Sequence, residues 1–379
     1  MRREAPVPAP VLAAVRAAFL EAGGEILDAP LLQPLGLLLE LAGEDIRGRL
    51  FVVQREGGEE ACLRPDFTIA AIRAHIESAA PSARYFYEGA AYRVAPSGAS
   101  RAEEFLQIGL EAFEAGDTIG ADAEMAAIAW RAAVAGGRDD LTLLFGDVGL
   151  FAAFLSAIGV AEPLAARLRR AFSSPRRLRN ELASIAERQG AAQGGQGRLA
   201  ALLGGLPEDE AVGVLEEVWA LAGVAPVGGR RPAEIVHRLV QRAALAEAPA
   251  PSEHQTDLIS RFLAISDAPD RAMNAVAALA GAKGGAWGAA LEAWRGRLAC
   301  LAQAGVSAER MHFSAAFGRS FGYYDGVLFE VRSRALGDEQ PVAAGGRYDA
   351  LPRRLGAKLN TGAVGCMVRP GRAWSGAVP

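Results

Sequence analysis

The chain has 379 residues, of which 51% are hydrophobic and 22% are charged, with a formal net charge of -4. This composition is typical of a globular protein with a sizeable core, and it excludes extensive disorder. The acidic balance also argues against a nucleic-acid-binding protein, since such proteins usually present a basic surface to the phosphates. The arginines concentrated between residues 167 and 179 are typical of a solvated helix face.

The cysteines and the N-terminal residues indicate the environment of the protein. Cys62, Cys300 and Cys366 are widely spaced and odd in number, so neither a disulfide framework nor a zinc site is predicted. Arg16 and Glu21 interrupt the apolar stretch that a signal peptide needs, and no apolar run reaches the roughly 18 residues of a membrane span. We therefore expect a soluble, cytoplasmic protein with reduced thiols and with no metal or cofactor.

The pattern of apolar residues divides the chain into three regions. Val11 to Glu21 has apolar residues at helical spacing, which end at Gly23-Gly24. Residues 151–310 are almost purely helical in pattern, with Gly and Pro clusters near residues 190–197 and 225–232. A turn is predicted at Gly345-Gly346. Strands are predicted at residues 50–53, 84–93, 141–145, 326–331 and 363–368.

Strands on both sides of a long helical block predict an α+β fold. We assign residues 1–150 and 311–379 to its core, and residues 151–310 to a helical insertion region. The chain has neither the regular β-α alternation nor the GxGxxG opening of a dinucleotide-binding fold. An internal repeat at solenoid periods is also absent from the sequence.

Four segments together carry a resemblance to a known family. They are Gly24-Glu25-Ile26 with Pro30; residues 63–68; residues 87–93 with 104–111; and residues 319–326 with 345–349 and the strand around Gly365. In this order and at these separations they resemble the catalytic domain of class II histidyl-tRNA synthetase. The resemblance implies an antiparallel sheet flanked by helices, and a dimer whose interface involves the first segment. A synthetase of this type continues into a C-terminal anticodon-binding domain, and since only a few residues follow Gly371 here, we expect no such domain.

The resemblance further implies a pocket for free histidine. Its residues are Asp66, Thr68, Arg93, Gln107, Glu111, Arg319, Tyr323 and Tyr324. They offer acceptors for an α-ammonium, cations for a carboxylate and polar partners for the imidazole nitrogens. Gln107 and Glu111 are four residues apart in a strand pattern, so their side chains share one face. Asp66 stands where the family has glutamate, and Gly322 where it has aspartate, so part of the pocket differs.

Two simpler interpretations apply to members of this set. Arg93 and Glu111 also fit a structural ion pair across the sheet. One of Tyr323 and Tyr324 fits an ordinary half-buried strand aromatic.

The residues that activate an amino acid with ATP are incomplete by the same comparison. The family has a glutamate two residues after its second-motif arginine, where this chain has Ala95 after Arg93. Its third motif ends in a Glu-Arg pair, where this chain has Gly371-Arg372, and Arg369 occupies a glycine position. The intervening proline, Pro370, is expected to disrupt the strand. These changes argue against adenylate formation, so no catalytic residue is predicted.

A synthetase-like domain that keeps an amino-acid pocket and loses its ATP residues resembles the regulatory subunits of ATP phosphoribosyltransferase. That resemblance implies a non-catalytic subunit of a hetero-octamer, built from self-dimers and the short-form catalytic subunit, which performs the phosphoribosyl transfer. It also implies that histidine regulates the first step of histidine biosynthesis through this assembly. Two alternatives stay open: a short synthetase-like amino-acid-activating ligase, and a stand-alone histidine-binding or scaffold protein.

Overall fold

The computed structural model describes residues 1–42, 44–54, 60–99, 101–172, 175–188, 206–222, 251–280, 285–319, 322–357 and 361–376. The glycine and proline clusters at 190–197 and 225–232 lie outside these ranges. None of the described helices combines the length and the apolar character needed to cross a lipid bilayer.

The described residues form twelve strands. These are β1 (Glu25–Ile26), β2 (Leu32–Pro34), β3 (Val52–Val53), β4 (Ala61–Leu63), β5 (Ala83–Tyr92), β6 (Glu104–Glu114), β7 (Leu141–Asp147), β8 (Ser266–Asp267), β9 (Met311–Ser314), β10 (Val327–Ser333), β11 (Ala343–Arg347) and β12 (Gly362–Val368). Nine of them form one sheet in the order β1-β5-β6-β12-β11-β10-β7-β9-β8, and β2, β4 and β3 form a second. In the large sheet only β1–β5 and β7–β9 pair in parallel. The other neighbours are antiparallel.

The same residues form thirteen α-helices. These are α1 (Ala9–Glu21), α2 (Leu35–Ala42), α3 (Thr68–Ser78), α4 (Thr118–Val134), α5 (Val148–Ala157), α6 (Glu162–Ala171), α7 (Pro175–Arg188), α8 (Glu208–Ala222), α9 (Glu253–Leu263), α10 (Pro269–Ala280), α11 (Gly285–Gln303), α12 (Ala350–Arg354) and α13 (Pro370–Ala373). The expected α+β fold, an antiparallel sheet flanked by helices, is confirmed.

Helix α4 covers the centre of the large sheet, against β10, β11 and β12. The Asp117 side chain caps its N-terminus by accepting hydrogen bonds from the backbone N–H groups of Ile119 and Gly120. Alanines dominate its buried face, and their small side chains favour the helix while letting it approach the strands closely. Helices α1 and α11 pack on α4 in turn, so α4 is the central helix of the fold.

The helices between residues 151 and 310 pack into the same hydrophobic core as the sheet. Phe154 on α5 stacks on Phe262 of α9, with ring centroids 4.5 Å apart. Trp294 on α11 meets Phe145 of β7 edge-on at 5.7 Å. The elements described in this region are helices apart from β8 and a 3-10 turn at Ala308–Arg310. Its interpretation as an insertion into the core stays a prediction.

Two local predictions are wrong. Gly345-Gly346 does not form a turn, because both residues lie within β11, paired with β10 and β12. Glycine is needed at 345 because a Cβ there would overlap the Phe329 ring and the Gly365 carbonyl oxygen. Pro370 does not disrupt β12 either. The strand ends at Val368, and Pro370 occupies the start of α13, where a missing N–H costs nothing.

Candidate functional site

All eight residues predicted for the ligand pocket line one small cavity. They are contributed by four parts of the chain. Asp66 and Thr68 lie at the start of α3, and Arg93 directly follows β5. Gln107 and Glu111 lie on β6, while Arg319, Tyr323 and Tyr324 belong to the connection between β9 and β10. Adjacent strands and one connecting segment therefore bring distant motifs together. We call the cavity that they line the amino-acid pocket, after its predicted ligand.

Glu111 is the most enclosed acid of the amino-acid pocket, with 2% of its surface exposed. Its carboxylate accepts hydrogen bonds from the hydroxyls of Thr68 (2.8 Å), Tyr87 (3.4 Å) and Tyr348. Burial raises its pKa to about 7, against the opposing effect of these donors. A Cβ at Gly365 would overlap this carboxylate, so glycine there is required for the position of Glu111.

Gln107 and Asp66 provide the other acceptors. Gln107 donates from Nε2 to the Tyr87 hydroxyl (3.3 Å), and its buried Oε1 has no hydrogen-bond partner among the described residues. Burial raises the pKa of Asp66, while the charges of Arg93 and Arg319 act to lower it. A buried acceptor without a donor costs free energy, and a ligand N–H would remove that cost. The pocket is thus suited to a cationic or N–H-bearing ligand.

The two arginines lie beside Asp66. Arg93 donates from Nε to the Pro65 carbonyl at 2.9 Å. Burial, with repulsion from neighbouring arginines, lowers its pKa to about 10 despite Asp66. Arg319 approaches Glu330 at 3.3 Å, and its buried Nε has no hydrogen-bond partner in the described part of the chain. Asp66 is therefore the pocket carboxylate whose charge acts on both cations.

Aromatic rings form the walls of the amino-acid pocket. The ring centroids of Tyr323 and Tyr324 are 4.7 Å apart, and Tyr348 meets Tyr323 edge-on at 5.8 Å. Tyr87 stacks on Phe67 at 4.3 Å. Flat apolar walls around a few fixed polar groups suit a small planar ligand with charged ends. No group of three or more potential metal ligands occurs among the described residues.

Tyr87 and Tyr348 belong to the pocket although sequence reasoning did not select them. The signal for Tyr87 was available in the Gln107-x-Gly109-x-Glu111 pattern. These three residues share one face of β6, and the Tyr87 hydroxyl fills the space that a Cβ at Gly109 would need. A glycine between two polar residues on one strand face thus indicated a bulky side chain crossing from the neighbouring strand.

A larger cavity adjoins the amino-acid pocket and shares Arg93 and Arg319 with it. We call it the arginine cleft, because its lining includes Arg49, Arg93, Arg101, Arg319, Arg332, Arg369 and Arg372. Ala95, one of the two positions where the family has a glutamate, also lines it.

Comparisons with known proteins agree in sequence and in fold. The family model described as histidyl-tRNA synthetase matches residues 3–226 and 211–370. A protein of Brucella anthropi named ATP phosphoribosyltransferase regulatory subunit is 34% identical over 349 residues, which cover 90% of each chain. A protein of the same name from Brucella ovis is 35% identical over 356 residues, 92% of each chain.

Two solved structures share the fold. An ATP phosphoribosyltransferase regulatory subunit/histidyl-tRNA synthetase from Bacillus halodurans superimposes with a TM-score of 0.65 at 20% identity, covering 98% of this chain and 78% of that one. The histidyl-tRNA synthetase of Nostoc superimposes with a TM-score of 0.58 at 15% identity, covering 96% and 69%. These structural matches establish the architecture, and the closer sequence relatives establish the family.

Proposed function

This chain belongs to the histidyl-tRNA synthetase-like family of ATP phosphoribosyltransferase regulatory subunits, and we propose that it is the non-catalytic, histidine-responsive subunit of that enzyme. It serves the first step of histidine biosynthesis, in the cytoplasm, as part of a hetero-octamer with the short-form catalytic subunit. The partner carries out the phosphoribosyl transfer, and residues 151–310 are a helical insertion in the synthetase-like core.

The observation that carries this proposal is the amino-acid pocket itself. Its arginines and Asp66 are mutually close, and the ammonium and carboxylate of an amino acid share one carbon atom. Asp66 and Gln107 therefore receive the ammonium, while Arg93 and Arg319 take the carboxylate. Glu111, among tyrosine and threonine hydroxyls, is left to face the imidazole. The pocket thus provides at least one partner each for the ammonium, the carboxylate and the imidazole ring of free histidine.

The ligase alternative lacks support at the two altered positions. Ala95 adds no carboxylate to the arginine cleft, and a side chain at Gly371 would meet Glu4. Phosphoryl chemistry depends on such charged groups being placed in advance. Gene context distinguishes the stand-alone scaffold alternative from the regulatory function. A neighbouring gene for a short-form catalytic subunit favours the regulatory function.

We expect the purified chain to activate its catalytic partner and to make it sensitive to histidine. The chain alone should show no phosphoribosyltransferase activity. Allosteric couplings are typically about 1–3 kcal/mol, or about 5- to 150-fold in affinity, so a titration should resolve the effect. The measurement is the rate of the catalytic subunit with and without the chain across a range of histidine concentrations. If the two proteins co-elute but neither rate nor histidine sensitivity changes, the proposal is wrong.

We further propose that the chain forms a homodimer through the region around β1 to β3. Ile26 is 84% exposed, and Leu31, Leu32 and Val52 also present apolar side chains to solvent; such exposed groups often mark interfaces. Ile26→Asp should raise the dimer dissociation constant by at least about tenfold, measured by sedimentation. Val134→Asp is the matched control, because Val134 is 44% exposed at the end of α4. A monomeric wild type at micromolar concentration would contradict this prediction.

A further inference from the structure

Tyr87 lies between the two β6 side chains that line the amino-acid pocket. Its hydroxyl accepts a hydrogen bond from Gln107 Nε2 (3.3 Å) and donates one to the Glu111 carboxylate (3.4 Å). The Tyr87 side chain is 1% exposed, and its ring stacks on Phe67 with the two planes 5° apart. The hydroxyl occupies the space above Gly109, where a Cβ would overlap it. Packing on both sides therefore fixes the position of this hydroxyl.

The single proton of the Tyr87 hydroxyl is directed to Glu111. A phenol has one O–H donor, and a carboxylate is a stronger acceptor than an amide oxygen because the hydrogen bond is charge-assisted. Burial, with the charge of Glu111, raises the pKa of Tyr87 well above its usual value, so the hydroxyl keeps its proton. Toward Gln107 the hydroxyl can therefore only accept.

This direction fixes the orientation of the Gln107 amide. Because the hydroxyl accepts, the amide turns Nε2 toward Tyr87 and leaves Oε1 for the cavity that Gln107 lines. Gln107 is 1% exposed, and its Oε1 has no hydrogen-bond partner among the described residues. The reversed amide would present an N–H group, which cannot bond to an ammonium because both are donors. Only the observed orientation offers an acceptor to an ammonium.

We propose that Tyr87 is a positioning residue that sets the preference of the amino-acid pocket for ligands with an α-ammonium, by holding the Gln107 amide with its oxygen toward the ligand. This inference rests on the proposed function, in which Asp66 and Gln107 receive the ammonium of histidine. Asp66 needs no such orientation, because both oxygens of a carboxylate accept. Loss of the Tyr87 hydroxyl therefore reduces the preference for an ammonium and does not abolish it.

The test compares histidine with imidazole propionate, an analogue that lacks only the ammonium, by calorimetric titration of the full chain. At about pH 8, above the Glu111 pKa of about 7, this carboxylate is ionised. We expect Tyr87→Phe to reduce the preference for histidine over the analogue by about tenfold, the contribution of one hydrogen bond to a charged group. Phenylalanine keeps the aromatic stack, and the hydrogen bond that Glu111 loses affects both ligands alike.

Two further variants make this experiment specific. Tyr85→Phe is the matched control, because Tyr85 lies on the same strand, is 4% exposed and directs its hydroxyl to Ser78 at 3.2 Å; the preference for histidine should stay as in wild type. The double variant Tyr87→Phe/Gln107→Glu should restore the preference, because a carboxylate accepts in either orientation.

Three outcomes are decisive. An unchanged preference in Tyr87→Phe, including an equal loss of affinity for both ligands, would show a purely structural role and overturn the proposal. A reduced preference that the double variant does not restore would show that the effect bypasses Gln107, and would overturn it as well. Both of these outcomes leave the proposed function intact, whereas a wild type that does not bind histidine would overturn the proposed function together with this inference.

Discussion

Replacing Glu111 with alanine is expected to weaken histidine binding by roughly 30-fold or more. Truncating one partner of a buried, charged hydrogen bond typically costs about 2–5 kcal/mol, and about 1.4 kcal/mol corresponds to one decade in affinity. Glu111 has 2% of its surface exposed, so its hydrogen bonds lie away from bulk solvent. Its loss would also leave the hydroxyls of Thr68 and Tyr348 without their acceptor. Calorimetry of the full chain with histidine measures the effect.

Two variants make the Glu111 experiment specific. Glu111→Gln keeps the shape and an acceptor oxygen but removes the charge, so its affinity should lie between those of wild type and Glu111→Ala. Glu114→Ala removes a carboxylate from the same strand, β6, outside the amino-acid pocket, where Glu114 pairs with Arg84. It should bind histidine as wild type does. Unchanged affinity in Glu111→Ala would move the histidine site elsewhere, for instance to the junction with the catalytic subunit.

The residues that line the amino-acid pocket were more predictable from the sequence than the strand geometry around it. The motif order placed Asp66, Gln107 and Arg319 in one predicted pocket, and in the structure their side chains line the same cavity. Gly345 was misread as a turn because a glycine pair signals either a turn or close packing of strands, and local sequence does not distinguish them. The steric demand of Phe329 across the sheet decides this case.

Contacts between distant segments were the least predictable part. Glu4 is an unremarkable acid near the N-terminus, and nothing near it in sequence indicates its pairing with Arg369. The loss of the motif's glutamate at Gly371 was visible, but the carboxylate that enters its place was not. Pro370 was expected to damage β12, whereas the strand ends two residues earlier. Such outcomes depend on where strands end, which is the least certain feature of a sequence pattern.

The largest effect on stability is expected at Asp122, which has 2% of its surface exposed on α4. Its carboxylate oxygens accept hydrogen bonds from Arg347 of β11 (2.7 Å) and Arg297 of α11 (2.8 Å). Asp122→Ala would leave two largely buried guanidinium groups without this partner. Breaking a buried pair in this way typically costs about 3–5 kcal/mol, measurable as a lower free energy of unfolding in denaturant titrations.

The control for Asp122→Ala is the same substitution in a solvent-exposed aspartate–arginine ion pair. Asp257 and Arg261 on α9 lie 3.6 Å apart with both side chains largely exposed, so Asp257→Ala should cost only a small fraction of that free energy. Equal losses of unfolding free energy in the two variants would show that burial adds nothing to the contribution of the Asp122 network.

The Asp122 network also reaches the amino-acid pocket, because Arg347 directly precedes Tyr348, whose hydroxyl donates to Glu111. At a temperature where Asp122→Asn stays folded, we therefore expect it to bind histidine more weakly, since α11 and the amino-acid pocket are joined through one carboxylate.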